Sequence, residues 1–392
     1  MAKIIQPPLS DATPIPAIAY VLTGCIGVIG SNSLVLAPIA PKVAQSLNAA
    51  LPMVMWASAA FGLGTALSAL FLARHIDRIG AWRMLRLALT ALALALAASA
   101  AASGLIMLVV TQFAAGLGAG VALPAIYTNA AAIAPRGRES ATIGVVLTGW
   151  TLSIVAGVSL SAVVADHFGW RMVYAGVALL AAAALATVWR ANHRDRPASH
   201  AAPSPLVGLA VPGVVPLLLA CGAFMTAFYG VYGYLGDHLV NGLGYTVSAN
   251  GLTALAYGAG FGGAVLLDGI IDRLGAARVM PLAFIAVACV YTAMTFSAGS
   301  FPLLMGLIFA WGLSNHFGLN VLIMRLGASD PQLRGTIMGL NSAVTYLAVF
   351  VGTLGFGPLY STWGFSALTG LAAALTLAAA IAGKKSAAQR PA

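Results

Sequence analysis

Charge is scarce along these 392 residues: Asp and Glu number 9 and Lys and Arg 19, together 7% of the chain. A soluble domain of this length could not face water with so little polar surface. The few acids are also badly placed for buried chemistry. Asp11, Asp77, Glu139, Asp195, Asp268, Asp272 and Asp330 fall on polar segments or helix ends of one side, Asp166 and Asp237 at the other, and none sits mid-helix. No H-E-x-x-H, G-x-S-x-G, buried di-acid or P-loop pattern occurs, which argues against an intramembrane enzyme and an ATP-driven pump. The three cysteines, Cys25, Cys221 and Cys289, all lie in apolar stretches. They read as small buried hydrophobes, with no disulfide expected. No cofactor and no metal site is implied.

What fills the chain instead is apolar sequence: 60% hydrophobic residues and a mean hydropathy of +0.95. About 20 such residues span the hydrocarbon layer as a helix. Twelve stretches qualify, near 16–38, 53–73, 84–103, 105–129, 141–164, 171–190, 212–236, 249–270, 279–298, 301–325, 335–360 and 365–383. Their length argues for helices rather than a β-barrel, whose strands would be short and alternating. The first stretch is too long for a signal-peptide h-region. The expected fold is an all-α membrane protein of twelve transmembrane helices.

The net charge of +10 has a topological explanation. With the amino terminus inside, all 19 basic residues but Lys42 and Arg171 fall on the cytoplasmic side. That is the positive-inside bias, so no nucleic-acid partner is needed and both termini are expected in the cytoplasm. The expected organisation is a leader at 1–14, a six-helix bundle at 15–190, a Pro- and charge-bearing linker at 191–211, a second bundle at 212–383 and a basic tail at 384–392. Trp56, Trp82, Trp170, Trp189 and Trp363 mark helix ends; Trp150 and Trp311 fall well inside helices.

The chain also repeats itself. Asp77-Arg78-Ile79-Gly80-Ala81-Trp82-Arg83 returns 195 residues later as Asp272-Arg273-Leu274-Gly275-Ala276-Ala277-Arg278, and Gly144/Gly339, Gly157/Gly352 and Gly169/Gly364 keep the same step. Two fused membrane halves around a central cavity is a common transporter plan. The duplicated Asp-Arg-x-Gly-x-x-Arg loop resembles the signature of the major facilitator superfamily, and the Gly169-Trp170-Arg171 opening of the sixth helix is similar to the bacterial twelve-helix drug/proton antiporter (sugar/drug exporter) group. The resemblance implies two pseudo-symmetric six-helix bundles and a cytoplasmic latch made by Asp77, Arg78, Gly80, Arg83, Asp272, Arg273, Gly275 and Arg278. It places Asp77 against the start of helix 11 near Gly335, and Asp272 against helix 5 near Ser140. Ala73 stands where the family usually has Gly. Gln112 stands where a membrane-embedded Arg serves proton coupling, and the exporters' helix-5 motif, near Gly157-Val158-Ser159-Leu160-Ser161, lacks its Pro.

In that architecture helices 1, 4, 7 and 10 line the cavity. They offer Ser31 and Asn32; Gln112 and Tyr127; Phe228, Tyr229 and Tyr232; Asn315 and Asn320, with Asn341 and Tyr346 of helix 11 as weaker candidates. Amides, phenols and rings without fixed charge suit a small neutral or amphipathic solute. His316 is the one mid-helix group whose ordinary titration range suits proton exchange, with a neutral hydrogen-bonded His the competing reading. The expectation is a monomeric, multi-pass secondary transporter of the bacterial inner membrane, exporting by proton antiport; facilitated diffusion, uptake and a non-transporting solute sensor stay open.

Overall fold

The computed structural model describes residues 14–135, 138–191, 195 and 205–388, and of the side chains at 77, 139, 140, 205 and 384–388 nothing is described. The leader, most of the linker and the end of the tail therefore lie outside the described residues. Among those described there is no strand. The helices are α1 (Ala17–Leu47), α2 (Leu51–Phe71), α3 (Ala81–Ala100), α4 (Leu105–Ile133), α5 (Ala141–Phe168), α6 (Trp170–Arg190), α7 (Val214–Gly242), α8 (Ala249–Leu267), α9 (Ala276–Ser297) and α10 (Phe301–Gly327). The last apolar span, Arg334–Gly383, is bent at Gly364 into α11 (334–363) and α12 (365–383). Each of these spans among the described residues, with Arg334–Gly383 taken as one, is long and apolar enough to cross a membrane.

The repeat is written into the backbone. Gly80 and Gly275 both take positive φ (99° and 81°) where the signature loop turns into α3 and α9, and Gly169 and Gly364 do so (86° and 72°) at the starts of α6 and α12. A side chain at these four corners would be strained. Gly157 lets α5 close onto Ser31 of α1, and Gly352 lets α11 close onto Thr226 of α7. The two halves thus use one packing rule at one sequence step.

α1 is longer than its apolar stretch, running through Pro38 and Pro41 to Leu47. A proline inside a helix leaves the carbonyl four residues earlier without its N–H donor. The other half supplies the replacement: Tyr232 of α7 donates to the Leu34 carbonyl at 3.2 Å. Beside it, Asn250 of α8 donates to the Pro38 carbonyl at 2.7 Å. Gly236 has no β-carbon to meet the Ala37 carbonyl freed by Pro41. The prolines of α1 therefore free acceptors that face α7, and Asn250 of α8 adds a bond to Pro38's own carbonyl.

α5 departs from the regular helix over Ser153–Val158, a π-helical turn. This turn faces α8, where Gly258 meets Ile154 and Val155, and Gly251 meets the Ser159 carbonyl. α2 packs on α11, with Phe61 edge-on to Tyr346 at 6.2 Å. The halves thus meet along α1–α7, α2–α11 and α5–α8. Cys25 and Cys221 are buried as expected, but Cys289 is exposed: in a helix whose outer face meets lipid, an apolar stretch does not guarantee protein burial.

Candidate substrate and coupling site

On the first half, the expected polar residues join into a chain. Asn32 of α1 donates to the Gln112 Oε1 at 3.1 Å, Gln112 donates to the Ser99 hydroxyl at 3.0 Å, and Ser99 reaches Thr111 at 2.9 Å. Gln112 is thus held by α1 and α3 as well as by its own helix. The Asn32 Oδ1 is left buried without a partner, at a cost unless something else fills that need. On the far turn of α4, the Tyr127 hydroxyl accepts from Trp150 Nε1 of α5 at 3.4 Å.

On the second half the structure gathers rings around Phe228. Tyr229, Trp311, Tyr232 and Tyr257 lie 5.0, 5.2, 5.5 and 5.5 Å from it, centroid to centroid. Asn315 donates to the Tyr257 hydroxyl at 3.0 Å, while Asn315 Oδ1 and the Tyr346 hydroxyl are buried without partners. Tyr257 was missed in the sequence because it lies on α8, outside the four helices expected to line the cavity; its aromatic spacing alone reads as core.

His316 and Asn320 are drawn to a different place. His316 Nε2 lies 2.8 Å from Asp268 Oδ1, and Asn320 Nδ2 donates to the same oxygen at 3.3 Å. Asp268 follows the 3₁₀ turn that ends α8 (Ala264–Leu267) and precedes the short helix Gly269–Leu274 of the second signature loop. In sequence it is a helix-end acid; only the crossing of α8 with α10 gives it a basic partner.

Among the described side chains, no hydrogen bond or ion pair joins the signature residues across the halves. Arg78, Arg83, Asp272, Arg273 and Arg278 are exposed, and the side chains of Asp77 and Ser140 lie outside the described residues. The first loop is instead held by the inter-half segment. Asp195 accepts the backbone N–H groups of Trp82 and Arg83 at 2.7 and 3.2 Å, capping α3 where a helix N-terminus favours negative charge.

The opposite end is where the halves are tied. Asp166 of α5 pairs with Lys42 of α1 at 3.2 Å and accepts from Ser248 at the start of α8. Above this tie a cleft of about 890 Å³ opens, lined by residues that include Lys42, Asp166, Asp237, Asn241 and Tyr245.

The sequence pattern of the Major Facilitator Superfamily matches residues 21–353. The chain is 24% identical over 368 residues to the MFS-type transporter YwfA of Bacillus subtilis (strain 168), spanning 92% of this chain and 89% of that one. Its fold is similar to that of a bacterial homolog of the human lysosomal transporter Spinster in an inward-facing, occupied conformation (TM-score 0.74, 14% identity, 97% of this chain and 98% of that one). It is likewise similar to the human organic anion transporter MFSD10 (TM-score 0.71, 16% identity, 93% and 98%). With its twelve membrane-crossing helices in two repeated bundles, the chain belongs to the major facilitator superfamily and is a multi-pass secondary transporter working by alternating access.

Proposed function

We propose that this transporter exports a small neutral or amphipathic solute across a bacterial inner membrane by proton antiport, as a monomer with both termini in the cytoplasm. One observation carries the reading: the groups left unpartnered between the halves are uncharged. Asn32, Asn315 and Tyr346 offer donors and acceptors beside a cluster of rings, with no fixed charge among them. Such a surface holds a solute by hydrogen bonds and stacking. Tyr127, Phe228, Tyr229 and Tyr232 extend that surface and Gln112 orients its edge, while Asn320, expected on the same wall, is engaged by Asp268.

In this topology the end tied by Asp166 faces outward, so the conformation is inward-facing. The signature residues Asp77, Arg78, Gly80, Arg83, Asp272, Arg273, Gly275 and Arg278 then form the latch of the alternate, outward-facing state. His316 is the coupling group. Gln112, neutral and engaged by Asn32 and Ser99, favours one competing reading, uncoupled facilitated diffusion, because it removes the expected coupling Arg.

A thermal-shift screen of the purified protein against sugars, nucleosides, amino acids and lipophilic cations identifies the solute class. Proteoliposomes then test direction: with an acidic lumen, a stabilising solute should accumulate inside, and a protonophore should abolish the accumulation. Accumulation that never exceeds the external concentration, with or without the protonophore, rejects antiport for facilitated diffusion.

A further inference from the structure

The two helix pairs that should be copies of each other differ at one point. In the first half, α2 and α4 pack through glycines: Gly64 against the Phe113 carbonyl, Gly116 against that of Phe61, and Gly120 against that of Thr65. In the second, α8 and α10 repeat the first two contacts 196 residues on, Gly260 against Phe309 and Gly312 against Tyr257. The same step from Gly120 lands on His316. Where the first half needs a missing side chain, the second inserts an imidazole, edge-on to Phe261 at 5.1 Å. Near this point α8 ends in the 3₁₀ turn Ala264–Leu267, after which comes Asp268, much as the first half turns through a 3₁₀ segment at Ala73–His75. The first half offers Leu72 and Ala73 around the equivalent place. The charged pair is therefore an addition to the repeat, with no counterpart in the scaffold it interrupts.

We propose that His316 and Asp268, steadied by Asn320, form one proton-binding site, and that Asp268 is the carboxylate half of the coupling pair. This rests on the antiport reading above. His316 is 10% exposed in its side chain and Asp268 35%. The exchange is simple: imidazolium facing carboxylate carries no net charge, and loss of the proton from Nδ1, while Nε2–H still donates to Asp268, leaves one negative charge. Asp268 stands four residues before Asp272, so this change in charge acts at the root of the second signature loop.

The other ionisable groups on the elements packed around α10 are spoken for or lie apart. The Tyr257 and Tyr291 phenols sit around Trp311. Arg325, further along α10, donates to Met280 and to the Gly383 carbonyl. Asp272 and Arg273 follow on the short helix, and Arg278 and Arg334 open α9 and α11, all four exposed.

Ring ¹⁵N spectra of the purified protein, recorded from pH 5 to 9 with His316 assigned by its loss in His316→Gln, read the site directly. Asp268→Asn should change the pH dependence of the His316 ring signals, and Asp268→Glu should restore it. Superimposable curves for wild type and Asp268→Asn overturn the site and leave the antiport reading standing. In proteoliposomes, Asp268→Asn and His316→Gln should lose uphill transport but keep counterflow exchange. A displaced curve in a protein without proton-driven flux keeps the site and removes the antiport reading.

Discussion

Asp166 grips Ser248 twice, taking its backbone N–H at 3.2 Å and its hydroxyl at 2.7 Å, and so fastens the end of α5 in one half to the start of α8 in the other. Its second oxygen holds Lys42. Tethers of this kind decide which end of a rocking carrier is shut. Asp166→Asn keeps an acceptor but loses the charge that makes these bonds strong. With the carboxylate partly exposed, about 1–2 kcal/mol of closure should be lost, roughly a 5- to 30-fold shift toward opening. Maleimide labelling of a cysteine placed at Asn250, buried beneath the tie, should speed up accordingly.

Tyr232 and Pro38 act together. Tyr232→Phe removes the donor to the Leu34 carbonyl, costing about 0.5–1.5 kcal/mol of inter-half contact. Pro38→Ala gives that carbonyl an N–H of its own, so the phenol becomes redundant. The two substitutions should be less than additive in thermal stability; strict additivity would show that the proline-freed acceptor is not what Tyr232 serves.

Glycines on α10 should respond in opposite directions. A β-carbon at Gly312 would overlap the Tyr257 carbonyl, whereas at Gly306 it meets nothing. Gly312→Ala should destabilise by about 1–3 kcal/mol, and Gly306→Ala should be neutral or stabilise by up to about 1 kcal/mol. Melting curves in detergent distinguish them.

Asp195 should matter to one signature loop only. Asp195→Ala removes the cap of α3, worth about 0.5–2 kcal/mol. Gly80→Ala should also cost more than Gly275→Ala. Both break a positive φ, but only at Gly80 would the new carbon strike a carboxylate, while Gly275 has open space. Equal melting shifts would refute the asymmetry.

The fold was largely legible because a lipid solvent leaves few options: long apolar stretches must be helices, and the repeated glycines mark corners that only glycine fills. The twelfth span was visible in sequence although Gly364 bends rather than breaks the chain. The site was legible by residue type on α1, α4, α7 and α10, where polar groups stand out against apolar surroundings. Tyr257 and Asp268 were not, because α8 enters the site only through its crossing with α10, and an acid at a helix end gives no sign of the side chain it meets. The tie at Asp166 was hidden for the same reason: Lys42, Asp166 and Ser248 are far apart in sequence, on three helices, and none follows a motif.

The central claim, that two bundles rock about one interface with the Asp166 end closed here, is tested most directly by paired distances. In a background with Cys25, Cys221 and Cys289 replaced by serine, spin labels at Ser46 and Tyr245 report one end, and labels at Arg74 and Arg334 the other. Introducing Asp166→Asn should add a longer component to the first distance distribution and a shorter one to the second. Movement of one pair without the other, or lengthening of both, would contradict it.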